Sequence, residues 1–534
     1  QLHMDLKKCP LKEKVIEIKS VSLQGSALDV LINSKKQNQK SKPFPFHINL
    51  QKDLTLQNVS FLLQDNFGGQ KLAVNGANLS ITSQNIDLRN KNLNLDEIEL
   101  FDTHVEVRKF NLSPEDSAKV ESLKKRSKNS DFDWKIKAGE LKLENNSFAF
   151  SQENHSNKKN KVNYSDFRFY EISGLFEKFE MYRYFLAVSV QDFSVAEKSG
   201  FKLTRFATDF KFSEKQTNVS DLILETPYSR IVQTSLLKYK SVEKLREDIS
   251  QLAFEININS SSIGIADLNY LLPQNVDSIP YVSQLKHKIK IATKVSSYSD
   301  TLRVDNLKVA YDSTSLHLKG YVANYMQISD STFADIGMID LKTTQNNIMA
   351  FLPDTILPDQ ISLPSNIKLN TNFRGTKNIF RTQSQLITDF GEIVVNAQIN
   401  SDSSVNKRSY YSELELKDFN LGKLFSNDSI GKITQYTTVS GTLSPKKYSD
   451  ATANLKTNIK SFDYLNYLYT DIKLNGTVTQ EKIKADIAYA DSSLIVSASG
   501  MFKRNDSVPG YELDMNLEGV DLQALHISSS GLKG

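Results

Sequence analysis

The sequence predicts an all-β chain: an elongated, repetitive β-groove of the half-pipe or β-taco solenoid kind, with a few short helices. Three observations carry that expectation. Apolar residues alternate with period two in many short runs, a spaced apolar pattern recurs along the chain, and a strand, hairpin and helix unit repeats in its second half. At 534 residues the chain is more than three times a typical domain of about 150, so a repeated architecture or several domains must carry it.

The alternation comes first. Leu141/Leu143, Phe148/Phe150, Phe254/Ile256/Ile258, Ile289/Ile291, Leu316/Leu318, Ile393/Val395/Ala397 and Leu494/Val496/Ala498 each place apolar side chains on one face of a strand. Asn, Asp, Ser, Thr and Gly punctuate these runs as turns should, and Gly68-Gly69 after Phe67 reads as one such turn.

On top of the alternation, apolar residues recur at offsets 0, 2, 5 and 7. The copies are Ile16-Ile18-Val21-Leu23, Leu54-Leu56-Val59-Phe61, Leu72-Val74-Ala77-Leu79 and Leu93-Leu95-Ile98-Leu100 near the N-terminus. Val188-Val190-Phe193-Val195, Leu302-Val304-Leu307-Val309, Leu414-Leu416-Phe419-Leu421 and Met515-Leu517-Val520-Leu522 follow. In a straight strand a step of three moves the second apolar pair to the opposite face. An extra residue at a bulge or tight corner restores it, so each copy reads as two short strands meeting at a bend. The gaps are turn-prone, as in Asn75-Gly76, Asp305-Asn306 and Lys417-Asp418. Stacked corners make a trough or solenoid; the alternative is a sandwich with bulged strands.

The longer repeat runs from a strand opening on a small residue, through a polar hairpin and a second strand, to a short helix. Its copies start near Tyr228, Ser315, Gly391 and Ser493, with helix anchors Leu268, Ile348, Leu421 and Leu522. A helix is expected near 113–126, where Ser113-Pro114-Glu115-Asp116 supplies an N-cap and an acidic first turn. A second, near 241–252, carries the stripe Val242, Leu245, Ile249 and Leu252. The expected segments are 1–130, 131–280 and 281–534 of one continuous array.

Function classes narrow by exclusion. The balance of 66 Lys+Arg against 62 Asp+Glu leaves +4, with 24% charged and 39% hydrophobic residues, so no nucleic-acid partner is expected. The basic loops 35–42, 124–128 and 155–161 read as solvated hairpin tips. Cys9 alone excludes a disulfide framework or a multi-thiolate zinc site. His3, His47, His104, His155, His287, His317 and His526 show no metal-ligand spacing, and no phosphate loop, nucleophile elbow or dinucleotide fingerprint occurs. Asp131 and Asp133 sit on one strand face before Trp134 and read as an exposed pair. No enzyme, metal or cofactor is expected. The N-terminus lacks an initiator Met and a signal-peptide apolar region, so the chain is expected to be an internal piece of a longer protein.

From Val195 to Pro273 the chain resembles the periplasmic region of TamB-like proteins (translocation and assembly module inner-membrane components), of Bacteroidetes type, in the AsmA-like superfamily. The resemblance rests on Glu197-Lys198-Ser199-Gly200-Phe201, Leu224-Glu225-Thr226-Pro227-Tyr228-Ser229, the helix around Val242 to Leu252, Asp267-Leu268, and the strand starts Gly375-Thr376, Gly441-Thr442 and Gly476-Thr477. It implies an apolar half-pipe in the periplasm that carries phospholipid acyl chains as its ligand and supports outer-membrane biogenesis. It also implies an N-terminal inner-membrane anchor and a C-terminal domain contacting a BamA-type barrel, neither recognisable in this chain. Candidate groove-lining residues are Leu54, Leu56, Phe148, Phe150, Phe210, Phe212, Ile256, Ile258, Ile393 and Val395. Alternation alone does not distinguish a closed core from an open groove. A scaffold docking outer-membrane proteins by strand addition, or a polysaccharide-binding solenoid, are the alternatives; Trp134 as sole tryptophan weakens the latter.

Asp-Ser or Asp-Thr followed by an aliphatic, Ala, Met or Thr residue occurs at Asp116, Asp277, Asp300, Asp312, Asp330, Asp354, Asp428 and Asp506. Composition alone would give roughly two. The tripeptide resembles a Bacteroidetes O-glycosylation sequon, with acceptors Ser117, Ser278, Thr301, Ser313, Ser331, Thr355, Ser429 and Ser507; turn enrichment is the competing reading.

Overall fold

The computed structural model describes residues 1–8, 15–33, 47–112, 133–153, 161–271, 285–351, 358, 360–402, 407–443, 451–503, 510–528, 531 and 533–534. It divides into two units, 1–292 and 293–534. The expected helix at 113–126, Cys9, Asp131, the loop 35–42 and residues Ser117, Ser278, Thr355 and Ser507 lie outside the described residues.

Unit 1 opens with β1 (Leu2–Lys8), β2 (Val15–Gln24), β3 (Ala27–Ile32), β4 (His47–Asp65), β5 (Gln70–Asp87), β6 (Asn92–Phe101) and β7 (His104–Lys109). It continues with β8 (Lys135–Gln152), β9 (Asp166–Tyr182), β10 (Phe185–Glu197), β11 (Lys202–Leu203), β12 (Arg205–Phe212), β13 (Gln216–Glu225), β14 (Arg230–Lys238) and β15 (Ala253–Ile263). Helices α1 (Val242–Glu247) and α2 (Ile265–Leu271) flank β15, and β16 (Ile289–Tyr298) crosses the division.

Unit 2 holds β17 (Thr301–Tyr311), β18 (Thr314–Ala323), β19 (Phe333–Thr344), α3 (Gln345–Phe351), β20 (Asn366–Gly375), β21 (Phe380–Thr388), β22 (Gly391–Asp402) and β23 (Lys407–Asn420). After α4 (Leu421–Phe425) come β24 (Ile430–Leu443), β25 (Thr452–Tyr464), β26 (Tyr467–Val478), β27 (Lys482–Ala490), β28 (Leu494–Lys503) and β29 (Gly510–Val520). Chain neighbours pair antiparallel throughout unit 2, from β17 to β29. In unit 1, β2 and β3 pair parallel to β4, and β6 and β7 parallel to β8. Among the described residues no pairing joins β1 to β15 or β17 to β29, so the strands do not close into a barrel within either unit. Each unit is an open, repetitive all-β groove, and no described helix is long and apolar enough to cross a membrane.

All eight copies of the spaced apolar pattern sit at a shift of register. The shifts fall at Ile18/Ser20, Leu56/Val59, Val304/Leu307 and Leu416/Phe419, opposite Val74 and Ala77, and beside Leu95, Val190 and Leu517. The extra residue bends the strand and keeps both apolar pairs on one face. In unit 1 the bends stack into a line. Gly25, Asn58, Gly76, Asp102, Asn145 and Glu171 occupy matching places on successive strands, and all have φ between 48° and 62°. Gly, Asn and Asp tolerate that left-handed backbone best.

A bulge leaves backbone N–H groups without ladder partners, and a buried one must find another acceptor. Here the side chain beside the next bend supplies it. Asn78 Oδ1 accepts the Asn58 N–H at 3.0 Å, Thr103 Oγ1 the Asn78 N–H at 3.1 Å, Asn146 Oδ1 the Thr103 N–H at 3.0 Å, and Ser173 Oγ the Asn145 N–H at 3.0 Å. Ser261 Oγ does the same for the Val232 N–H at 2.9 Å, and in unit 2 Thr434 Oγ1 for the Asp418 N–H at 3.1 Å.

Buried apolar side chains collect beside these shifts: Ile18, Leu50, Val59, Leu95, Val190 and Ala207 in unit 1, and Leu416, Phe419 and Ile433 in unit 2. The last three form a cluster with Phe390, covered by Leu421 and Leu424 of α4. Asn420 caps α4 by accepting the Lys423 N–H at 2.8 Å, and Gly422 is required because a Cβ there would meet Ile430 O at 1.8 Å. Helices α2, α3 and α4 end three copies of the longer repeat, around Leu268, Ile348 and Leu421.

Two expectations need correction. The helix expected over 241–252 stops at Glu247. Asp248 leaves helical geometry, and its side chain accepts the Ser250 N–H to start a separate 3-10 turn, Ile249–Gln251. Ile249 is 64% exposed as a result, so the expected apolar stripe does not form. Leu522 lies in a run of turns rather than a helix, where Asp521 Oδ1 accepts the Ala524 N–H.

The bend line yields a direct test. Asn58→Val puts a β-branched residue at φ 50° and should lower stability by about 1–2 kcal/mol, whereas Asn58→Gly should leave the melting temperature nearly unchanged. Circular dichroism melts of the two variants check this.

Candidate functional site

The apolar face is built by register. In unit 1, Leu54 lies opposite Ile81, and the row continues through Ile98 and Leu141 to Phe176. Leu56 heads a parallel row through Leu79 and Leu100 to Leu143. Beyond the bend line, Phe148 sits between Val105 and Phe169, and Phe150 between Val107 and Phe167. Their rings pack at 6.0 and 5.3 Å from the Phe167 ring. Phe210 lies between Val188 and Val219, and Phe212 between Leu186 and Thr217. Ile256 faces Ser235, and Ile258 faces Gln233.

In unit 2, Ile393 lies between Leu386 and Leu416, and Val395 between Ser384 and Leu414. Ile393 packs on the buried cluster around Phe419. All ten candidates are half-buried, neither sealed in a core nor fully exposed. The structure thus gathers them into rows within each unit rather than into a single pocket.

Two features of the apolar face escaped the sequence reading. Aromatic residues Phe167, Phe169 and Phe176 of β9 complete the bands through Phe150, Phe148 and Leu141, a role visible only once β8 and β9 are in register. In unit 2, hydroxyl pairs interrupt the apolar rows: Thr371 with Ser384 at 2.7 Å, and Thr437 with Thr457 at 3.1 Å. In each pair one hydroxyl donates to the other, so the polar oxygens are partnered within the face.

The segments that carried the family resemblance hold turns together. Glu197 is 1% exposed, and its carboxylate accepts the Arg168 N–H at 3.3 Å and the Ser199 N–H at 2.7 Å. Thr226 and Ser229 donate their hydroxyls to buried Asp267 at the start of α2, and Ser229 Oγ accepts the Gly264 N–H at 2.9 Å. These are structural tasks. Asp133 pairs with Lys91 Nζ at 2.5 Å, which lowers its carboxyl below the usual range. Among the described residues no group of three or more His, Cys, Asp or Glu is placed to hold a metal. Of the sugar-acceptor candidates described, Ser313, Ser331 and Ser429 are exposed, while Thr301 is half-buried at the start of β17. Asp300 and Asp312 have φ of 59° and 49°, so turn geometry accounts for those two aspartates without a modification.

The opposite face of unit 2 is polar. On it Tyr411 donates to Glu413 Oε1 at 2.8 Å, and Asn396 Nδ2 donates to Glu413 Oε2 at 3.2 Å. The Tyr411 bond is the main cause that holds the Glu413 carboxyl below its ordinary range. The same bond, with burial and the negative charge, pushes the Tyr411 phenol up to about 12. A raised phenol pKa favours the protonated folded form. Its contribution is therefore complete below pH 10 and is lost as the pH rises through 12. NMR of Cζ-labelled tyrosine should show Tyr411 titrating near 12 in the native chain and at lower pH in Glu413→Gln, where the charged acceptor is gone.

Comparisons of the chain with known protein families, with characterised proteins and with solved structures found no match.

Proposed function

We propose that this chain is a periplasmic bridge segment of a TamB-like, AsmA-like protein that carries phospholipid along an apolar β-groove and supports outer-membrane biogenesis. The observation that carries the reading is the in-register apolar rows of each unit, held half-buried on an open sheet instead of sealed in a core. Contiguous apolar surface on a soluble chain needs a cover. Acyl tails supply one, because each methylene removed from water contributes about 0.8 kcal/mol, so ten give about 8 kcal/mol. Headgroups stay in water, and the transfer requires no catalytic residue, metal or cofactor. The inner-membrane anchor and the domain that meets a BamA-type barrel belong, in this reading, to other parts of the protein.

A second reading is favoured by one observation. The last strand, β29, pairs with β28, and only its end at Val520 exchanges backbone bonds with Gly534 on the other edge among the described residues; its Tyr511, Leu513 and Met515 are 84%, 70% and 59% exposed. Such an edge accepts an incoming strand, as a scaffold for outer-membrane proteins would.

Mass spectrometry of organic extracts from the purified chain separates the two. The bridge reading expects stoichiometric phospholipid, lost in the Ile256→Asp/Ile258→Asp double variant and kept in Ile258→Trp, which leaves the face apolar. A β-rich circular dichroism spectrum must accompany each variant. Absence of lipid from the folded wild-type chain would overturn the bridge reading; strand cross-links at Leu513 would then support the scaffold.

A further inference from the structure

The polar face of unit 2 carries a concavity of about 520 Å³ lined by Asp335, Asn372, Arg374, Arg381, Gln383 and Tyr411, among others. A second, of about 490 Å³, adjoins it and shares Gly337, Asn372, Gln383 and Asn396. Both volumes fall in the range of small-molecule sites, about 300–1,000 Å³. Register arranges the lining as a grid. Asn372, Gln383 and Asn396 form one row across β20, β21 and β22, and Arg374, Arg381, Gln398 and Tyr411 form the next, from β20 to β23.

Two details separate this surface from an ordinary solvated sheet face. Arg374 and Arg381 lie directly opposite each other, an arrangement that like charges disfavour. A single carboxylate, Asp335, approaches Arg374 at 3.6 Å, and Arg381 has no ion-pair partner among the described residues. Opposite the amide row, Gly337 leaves the wall open: a Cβ there would meet nothing within 4 Å.

The geometry points to a binding site for a carboxylated saccharide. A carboxylate on the ligand would take the bidentate donors of the arginine pair and relieve their repulsion. The amide row offers both donors and acceptors, as an array of sugar hydroxyls requires. The Tyr411 ring, 37% exposed and anchored through its hydroxyl to Glu413, provides an apolar surface for a sugar ring.

Calorimetry with trigalacturonate, maltotriose and citrate tests the assignment on the full chain. Trigalacturonate should bind, while neutral maltotriose and ring-less citrate should not. Arg381→Ala should weaken binding about 10-fold or more, and Gly337→Phe, which fills the concavity without a backbone clash, should abolish it. Arg303→Ala, whose guanidinium instead stacks on Tyr321, should bind as wild type. Equal binding of citrate would reduce the site to a bare anion pair and overturn the saccharide assignment. Failure of trigalacturonate to bind at millimolar concentration, or binding unaffected by Arg381→Ala, would overturn the site itself.

Discussion

From β2 to β9, unit 1 hangs on a backbone constraint: successive strands must each place one residue in the left-handed region at the same bend. Gly25, Asn58, Gly76, Asp102, Asn145 and Glu171 do so. The N–H groups that the bends release go to Asn78, Thr103, Asn146 and Ser173. Each bend is therefore bonded to the next, and this polar seam lets an apolar face turn a corner without burying unsatisfied donors. Glu171 is the exception to the residue preference, and nothing in the structure explains its choice.

Because the bend preserves which face is apolar, the rows from Leu54 to Phe176 and from Phe148 to Phe169 look the same way on both sides of it. Full burial is reached at few positions; the largest side chains under 2% exposure are Leu525, Glu197 and Ser261. Stability is thus spread over strand-to-strand interfaces, as in a one-dimensional array. An apolar face without a deep core is well suited to hold a long flexible ligand along its length. Within unit 2, the polar face, with its arginine pair and amide row, has the chemistry for a different and charged one.

Much of this was legible in the residues. The offsets 0, 2, 5 and 7 reveal a bulge because a three-residue step is incompatible with a straight half-buried strand, and all eight copies mark register shifts. Asn75-Gly76 and Lys417-Asp418 also named the residues that go left-handed. Other features depend on neighbours distant in sequence. That β2 and β3 lie parallel to β4, and that β6 and β7 break at Asp102 where β5 only bends, cannot be read from any one strand. The hydroxyl pairs Thr371/Ser384 and Thr437/Thr457 look like ordinary polar strand residues until register brings them together. In the segment after Val242, an apolar period of helical spacing lost to local chemistry: Asp248 caps a new turn more readily than it continues a helix.

The ten candidate lining residues were chosen from alternation, and their half-burial is a property of the open sheet that alternation could not supply. Whether acyl chains occupy that face is measured most directly by placing a photo-crosslinking amino acid at Leu56 and Phe148 on the apolar face, and at Thr55 and Lys142 on the other, in cells with radiolabelled phospholipid. A lipid-carrying groove gives labelled adducts at Leu56 and Phe148 alone. Adducts at all four positions, or at none, contradict it.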